Sequence, residues 1–106
     1  MRNKIIIGKM ISYTDKILSY SKNFNYDSFA ENSLVVEACV FNLSQLGELT
    51  TKLDRSFTEK YPEIPWHQMR GLRNKIVRDY EGVNLVLVWE IISSDLPELK
   101  TKLMQI

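Results

Sequence analysis

The chain has few of the residues on which many catalytic sites are built. Its 106 residues include one cysteine, one histidine and four glycines. The lone Cys39 excludes an intramolecular disulfide, fits a reducing compartment and is typical of a small side chain in a core. These residues are too few for a metal-ligand cluster, and no glycine-rich phosphate loop or nucleophile motif occurs. We therefore expect no metal and no cofactor.

Long hydrophobic runs and an excess of charge are also missing. The N-terminal apolar run Ile5 to Ile7 is far shorter than a signal sequence or a membrane span, which predicts a soluble cytoplasmic protein that does not contact a membrane. The net charge is only +1, so affinity for nucleic acid would have to come from a local patch. The length suits one hydrophobic core and predicts a single domain over residues 1–106.

Apolar residues recur with helical spacing in the first half of the chain. The pattern from Asn3 to Ser21 predicts one helix, and the pattern from Ser33 to Leu53 predicts a second. Between them, Asp27 or Ser28 is expected to cap a short turn. Residues 54–65 contain two prolines and no periodicity, so they predict a loop. This loop is long for a helix connection, which suggests that it covers something.

Two further helices are predicted in the second half. The third begins at Pro65 or Trp66 and ends at Gly82, because glycine commonly follows a helix. Asn84 is a suitable cap for the fourth. No segment alternates with the period of a strand. The sequence therefore predicts an all-α protein, an antiparallel bundle of four to five helices.

A proline interrupts the fourth helix. Pro97 cannot donate a backbone hydrogen bond, while Asp95 and Glu98 have the spacing of a capping box. We therefore expect either a kink or a fifth helix that begins at about Leu96.

The most distinctive stretch runs from Arg70 to Asn84. Its first nine residues, 70–78, include four cations: Arg70, Arg73, Lys75 and Arg78. On an ideal helix Arg73 and Tyr80 lie about 20° apart, whereas Arg73 and Arg78 lie about 140° apart. One helix cannot direct all three side chains at one ligand, but two copies related by a dyad could. The stretch is either a phosphate-binding cleft or a solvated basic face.

The same stretch resembles the HepT-like branch of the HEPN superfamily. The signature of that branch is arginine, four spacers, histidine, one spacer and tyrosine, and its three positions hold Arg73, Arg78 and Tyr80 here. The resemblance covers nearly the whole chain. It includes the segments Pro65-Trp66, Met69 to Val77, Gly82-Val83, Val88-Trp89, Asp95-Leu96-Pro97 and Leu46-Gly47-Glu48.

The resemblance implies a HEPN-like homodimer that acts as the toxin of a toxin–antitoxin pair. Its metal-independent ribonuclease site would lie in the dimer cleft and act on RNA. Its partner would be an MNT-type nucleotidyltransferase antitoxin, which neutralises the toxin by transferring AMP to the signature tyrosine. Carried over to this chain, the resemblance makes Arg73 the phosphate-binding and catalytic arginine and Tyr80 the acceptor of AMP, with Asn74 and Glu48 in support. The catalytic positions are then those of Arg73, Arg78 and Tyr80. The cluster of cations itself adds Arg70 and Lys75, beside Asn74, as candidate phosphate-binding residues.

The chain departs from the signature at Arg78, where the family has histidine. Histidine can accept and return a proton near neutral pH, but arginine stays protonated and cannot act as a general base. Acid–base catalysis usually contributes roughly 10²- to 10⁴-fold, so we expect an attenuated ribonuclease. Glu81, where the family commonly has an aromatic residue, further weakens the attraction for anions.

Three explanations for Arg78 remain open. The residue could be a detoxifying change, a mark of a naturally degenerate member, or a sign that toxicity never depended on histidine. We favour the first, because histidine and arginine codons can differ by one base and expression selects against toxicity. The only histidine, His67, lies about 16 Å from position 78 along one helix and is expected to be an exposed surface residue.

Two other functions compete with the ribonuclease. The domain could chiefly be a non-catalytic partner and substrate of the nucleotidyltransferase, with Tyr80 as the acceptor of AMP. It could also be a bundle that binds nucleotide or RNA without catalysis. In that case its affinity for RNA should fall steeply with salt.

Overall fold

The computed structural model describes residues 2–78 and 84–106, with backbone only at positions 73 and 76–78. Within these ranges the chain forms helices and short connections without a strand, which confirms the all-α prediction. The α-helices are α1 (Arg2–Ser21), α2 (Tyr26–Glu31), α3 (Ser33–Thr51), α4 (Arg55–Thr58), α5 (Trp66–Arg78), α6 (Leu85–Glu90) and α7 (Leu96–Met104). A π-helical turn, Ile91–Asp95, joins α6 to α7.

Four long helical units form the bundle: α1, α3, α5 and the continuous unit of α6, the π-helical turn and α7. The central helix is α3, which packs against both α1 and α5, while α7 packs on α1. Asn3 at the start of α1 exchanges two hydrogen bonds with Asp54, just after α3, so these two helices run antiparallel. None of the helices in the described ranges is long and apolar enough to cross a membrane.

The core forms because each long helix buries one apolar face. Its fully buried side chains include Met10, Ile17, Phe29, Cys39, Leu43, Leu46, Ile92, Leu96 and Leu103. Buried polar groups are satisfied inside their own helices. Thr14 and Thr50 donate to the carbonyl oxygens of Met10 and Leu46, each at 2.9 Å. These bonds remove the cost of burying an unpaired hydroxyl.

The connection between α1 and α3 differs from the prediction in its cap. Asn25, rather than Asp27 or Ser28, is the cap of α2, and its side-chain oxygen accepts from the Ser28 backbone N–H at 2.8 Å. The Ser28 hydroxyl in turn accepts from the Asn25 N–H at 3.0 Å. The predicted cap was wrong because Ser28 forms the second half of a capping box.

The segment 54–65 is also more ordered than the predicted loop. It contains α4, and the N–H groups of Phe57 and Thr58 donate to the carbonyl oxygen of Asp54 at 3.0 and 3.1 Å. Thr58 is buried, so tertiary contact stabilises a helix too short to form alone.

The last helical unit confirms the Asn84 cap and the predicted start of a helix at about Leu96, but it corrects the predicted capping box. The Asn84 side chain accepts from the Leu87 N–H at 3.1 Å. Asp95 has helical backbone angles and makes no capping bond, so the predicted capping box was wrong. The helix instead widens, and Leu96 N–H donates to the carbonyl of Ile91, five residues back. This π-helical turn accommodates Pro97 without ending the helix, because proline cannot make the regular bond to Ser93.

Candidate functional site

The first residue of α5 anchors the helix that carries the candidate site. The Trp66 indole nitrogen donates to the carbonyl oxygens of Thr58 at 3.1 Å and Tyr61 at 3.0 Å. Trp66 is 7% exposed and the neighbouring Ile64 only 2% exposed. The segment 54–65 therefore covers the start of α5. This contact accounts for the length of the segment.

The chemistry of α5 is dominated by positive charge. Its thirteen residues include four cations and no carboxylate. Met69 and Leu72 are buried, so this face of the helix packs into the bundle. Arg70 is half-buried, and Asn74 and Lys75 are exposed. A partly buried guanidinium beside an exposed amide can bind a phosphate oxygen through several donors.

The three signature positions fall at the edge of what the structure describes. Positions 73 and 78 belong to the helical backbone of α5, but the side chains of Arg73 and Arg78 lie outside the described residues. Tyr80, Glu81 and the predicted helix end at Gly82 lie outside them as well. The assignments of these residues therefore stay predictions.

A groove lies between α5 and the last helical unit. It has a volume of about 600 Å³, and the α5 residues that line it include Gln68, Gly71 and Lys75. Arg70 and Asn74 do not line it, and on an ideal helix Arg70 and Lys75 point about 140° apart. The predicted phosphate-binding set is thus divided between two faces of α5. The helical spacing of Gln68, Gly71 and Lys75 was the signal in the sequence for this second face.

The charges in the groove are mixed. Lys102 lies 3.2 Å from the carboxylate of Glu98 and donates to the Glu63 carbonyl oxygen at 3.1 Å. Asp95 adds another carboxylate to the lining, which also includes Lys75 of α5. Carboxylates repel a polyanion, so the face with Arg70 and Asn74 suits a nucleic-acid backbone better than the groove does.

The remaining candidates lie on two packed helices. Glu48 is half-buried on α3, the helix against which α5 packs. His67 is exposed in the first turn of α5 and lines the groove, which confirms the prediction of a surface histidine. Within residues 2–78 and 84–106, no three potential metal-binding side chains come together.

Cys39 is not placed for nucleophilic chemistry. It is fully buried in α3, as predicted for a core residue. Burial raises the pKa of its thiol from 9.0 to about 11, because the thiolate would lose its hydration. The reactive thiolate form is therefore scarce at neutral pH.

Comparisons with known proteins relate this chain to a family of ribonucleases. The model of the family described as "Ribonuclease HepT-like" matches residues 10–106. "Putative RNase MJ1216" of Methanocaldococcus jannaschii is 34% identical over 97 residues, which cover 92% of this chain and 80% of that protein. "Putative RNase MJ0125" of the same organism is 33% identical, covering 92% of this chain and 84% of that protein. "Probable ribonuclease HepT" of Thermococcus cleftensis is 28% identical, with coverages of 81% and 78%. No solved structure matches the chain significantly.

Proposed function

Because the chain belongs to the ribonuclease HepT-like family, we propose that it is the RNA-cleaving toxin of a HepT/MNT-type toxin–antitoxin pair. The observation that carries the proposal is α5, an amphipathic helix with four cations and no carboxylate. A helix of this kind can hold an RNA phosphate while its apolar face stays in the bundle.

The proposed chemistry is attack of an RNA 2′-hydroxyl on the neighbouring phosphate. A bond from the 2′-oxygen to phosphorus forms while the bond to the 5′-oxygen of the next nucleotide breaks, which leaves a 2′,3′-cyclic phosphate. The 2′-hydroxyl loses its proton and the departing 5′-oxygen gains one, so the second product is a 5′-hydroxyl. Arg73 would bind the phosphate oxygens and stabilise the charge that grows on them, with Arg70 and Asn74 as further donors. Lys75 would contribute charge from the groove side of α5. The site would take one α5 from each protomer, because one helix cannot direct positions 73 and 78 at a single phosphate.

The residue at position 78 sets the expected activity. Attack by a hydroxyl requires a group that removes its proton, and Arg78 has no free lone pair to accept one. We therefore infer that binding of RNA is retained while cleavage is attenuated, by roughly 10²- to 10⁴-fold.

Restoring histidine tests this proposal. Arg78→His should give RNA cleavage in vitro and growth arrest on expression, and Arg73→Ala in the same background should abolish both. Arg55→His is a matched control, because Arg55 is exposed on α4 and pairs with its neighbour Glu59 at 3.0 Å. If Arg78→His neither cleaves RNA nor arrests growth, loss of the histidine does not explain the attenuation.

A second role is that of a substrate for the nucleotidyltransferase antitoxin. The antitoxin would transfer AMP from ATP to the phenol oxygen of Tyr80, with release of pyrophosphate and of the phenol proton. This reaction needs only an accessible phenol on this chain, so the histidine is not required. Incubation with the antitoxin and ATP, followed by mass spectrometry, should find one added AMP that Tyr80→Phe removes. Tyr20→Phe is the control, since Tyr20 is 42% exposed on α1 and should not affect the modification. An adduct on another tyrosine would contradict this role.

A further inference from the structure

One side of the helical bundle is open. Among the described residues, α3 packs extensively against both α1 and α5, and α7 packs on α1, whereas α5 packs little against the last helical unit. The groove of about 600 Å³ occupies this side. Three of the four sides between neighbouring helical units are therefore closed by packed side chains, and the fourth is left as a trough.

The groove is elongated along the helices. On the last helical unit its lining runs from Leu87 to Lys102, a distance of about 23 Å along a helix. The floor of the groove is apolar and consists of Met69, Leu72, Ile91, Leu96 and Leu99. A compact small molecule would fill only part of this length. A long groove between two helices with an apolar floor is instead the geometry that binds an amphipathic helix.

Gly71 opens a notch in the α5 wall of the groove. A Cβ atom placed on it would meet nothing within 4 Å among the described residues. Glycine inside a helix costs about 1 kcal/mol relative to alanine, and packing within the described part of the chain does not require it here. The missing side chain instead lets a side chain or backbone of another molecule approach α5 closely.

The charges at the rim of the groove favour a cationic occupant. Three carboxylates, those of Glu63, Asp95 and Glu98, line the groove together with Lys75 and Lys102. Lys102 lies 3.2 Å from the carboxylate of Glu98, so this pair is already neutral. Glu63 and Asp95 are exposed and outnumber the remaining cation of the lining, Lys75. The surplus charge is therefore negative, which attracts lysine and arginine side chains and repels a polyanion.

We propose that the groove is the docking site for a cationic amphipathic helix of a partner protein. The apolar face of that helix covers the floor at Leu72 and Leu99, one of its side chains enters the notch at Gly71, and its cations face Glu63 and Asp95. The occupant is a different protein, because the long helices of this chain already bury their apolar faces in their own core. The proposal goes beyond the proposed ribonuclease and does not depend on it.

A synthetic helix tests the proposal on the full chain. The probe is a fluorescein-labelled peptide of about fifteen residues, with leucines three and four residues apart and lysines on both sides of the leucine stripe. Fluorescence anisotropy should show binding to the unsubstituted chain and a loss of affinity of roughly tenfold or more for Gly71→Leu, because leucine fills the notch. Gly8→Leu is the matched control, since an added Cβ at this α1 glycine also meets nothing within 4 Å. Circular dichroism should find both variants folded, because leucine is favoured over glycine in helices. Equal affinities of Gly71→Leu and Gly8→Leu would overturn the proposal.

A charge swap tests the same groove without filling it. Asp95→Lys should fold, because the Asp95 side chain is exposed and makes no capping bond. It should weaken binding of the lysine peptide and strengthen binding of a peptide in which glutamates replace the lysines. Glu90→Lys is the control, since Glu90 is an exposed carboxylate of the same helical unit that does not line the groove. An unsubstituted chain that binds the glutamate peptide as tightly as the lysine peptide would contradict the proposal.

Two further measurements on Gly71→Leu distinguish the other occupants. The affinity for RNA and the oligomeric state in sedimentation velocity should both equal those of the unsubstituted chain. A loss of RNA affinity would make the groove an RNA site, and a change of oligomeric state would make it a contact between copies, so either result would overturn the proposal.

The peptide assay also separates this docking site from the proposed ribonuclease. It requires neither cleavage of RNA nor modification of Tyr80. An inactive Arg78→His variant that binds the lysine peptide would therefore support the docking site while the ribonuclease proposal fails. An active Arg78→His variant that does not bind the peptide would refute the docking site alone.

Discussion

The indole of Trp66 donates to the carbonyl oxygen of Thr58 at 3.1 Å and so ties the first residue of α5 to the short helix α4. The same N–H also reaches the carbonyl oxygen of Tyr61 at 3.0 Å. One buried side chain thus fixes the start of the basic helix to the segment before it. The position of the candidate site along the bundle depends on this attachment.

Trp66→Phe should test the attachment. The substitution removes the indole donor, but the carbonyl oxygens of Thr58 and Tyr61 still accept from the backbone N–H groups of Tyr61 and Ile64. The free energy of unfolding should therefore fall by the net value of a hydrogen bond, about 0.5–1.5 kcal/mol. Urea unfolding followed by circular dichroism measures this loss. Trp89→Phe is the control, because Trp89 is only partly buried and contacts Phe29 through its ring, at 5.0 Å between centroids. Equal losses in the two variants would show that the indole N–H has no special role.

Asn84→Ala should weaken the start of α6. Its side-chain oxygen accepts from the Leu87 N–H at 3.1 Å, and loss of such a cap usually costs about 1 kcal/mol. Asn23→Ala changes an exposed asparagine in the turn after α1 and should have almost no effect. Thermal unfolding of both variants distinguishes the loss of a cap from a general effect of removing asparagine.

Asn42→Leu should change stability by less than about 1 kcal/mol. Asn42 is 6% exposed and donates to the Ala38 carbonyl oxygen at 2.7 Å, which remains within the hydrogen-bonding pattern of α3 after the substitution. Asn42→Asp should instead destabilise by about 1–3 kcal/mol, because a buried carboxylate would face a carbonyl oxygen. Chemical unfolding of the pair checks the difference. A large loss in Asn42→Leu would mean that the amide has a further role.

Cys39 should resist thiol reagents in the native protein and react at the rate of unfolding. Burial raises its pKa from 9.0 to about 11, so the folded state holds the proton at a pH where the unfolded state has lost it. The contribution of the protonated thiol to stability is therefore complete below pH 9 and declines between pH 9 and about 11. The urea midpoint should therefore decrease more between pH 8 and pH 10 for the unsubstituted chain than for Cys39→Ala.

Binding of RNA should depend on salt and on Arg70. Neutralising one phosphate contact reduces the slope of log affinity against log salt by about 0.7 for a single strand. Arg70→Ala should show this change in fluorescence anisotropy titrations at several salt concentrations. Arg55→Ala removes an equally charged, exposed side chain from α4 and should leave the slope unaltered. An unchanged slope in Arg70→Ala would exclude this face of α5 as the RNA contact.

The sequence by itself determined the local features of this protein. Apolar periodicity and caps such as Asn84 depend on neighbouring residues, so they indicated the long helices and the boundary before α6. The chemistry of position 78 is equally local, since arginine cannot act as a base in any fold. The π-helical turn before Pro97 was predicted only as a kink or a restart, because the sequence shows the missing donor but not how the helix accommodates it.

The tertiary structure decided which side chains meet. It placed the Trp66 indole under the segment 54–65 and turned Lys75 toward the groove, away from Arg70 and Asn74. It also left Leu34 and Phe41 exposed on a helix whose opposite face is fully packed. These relationships depend on contacts between residues far apart in the chain, and short-range spacing carries no information about which helix will cover a given face.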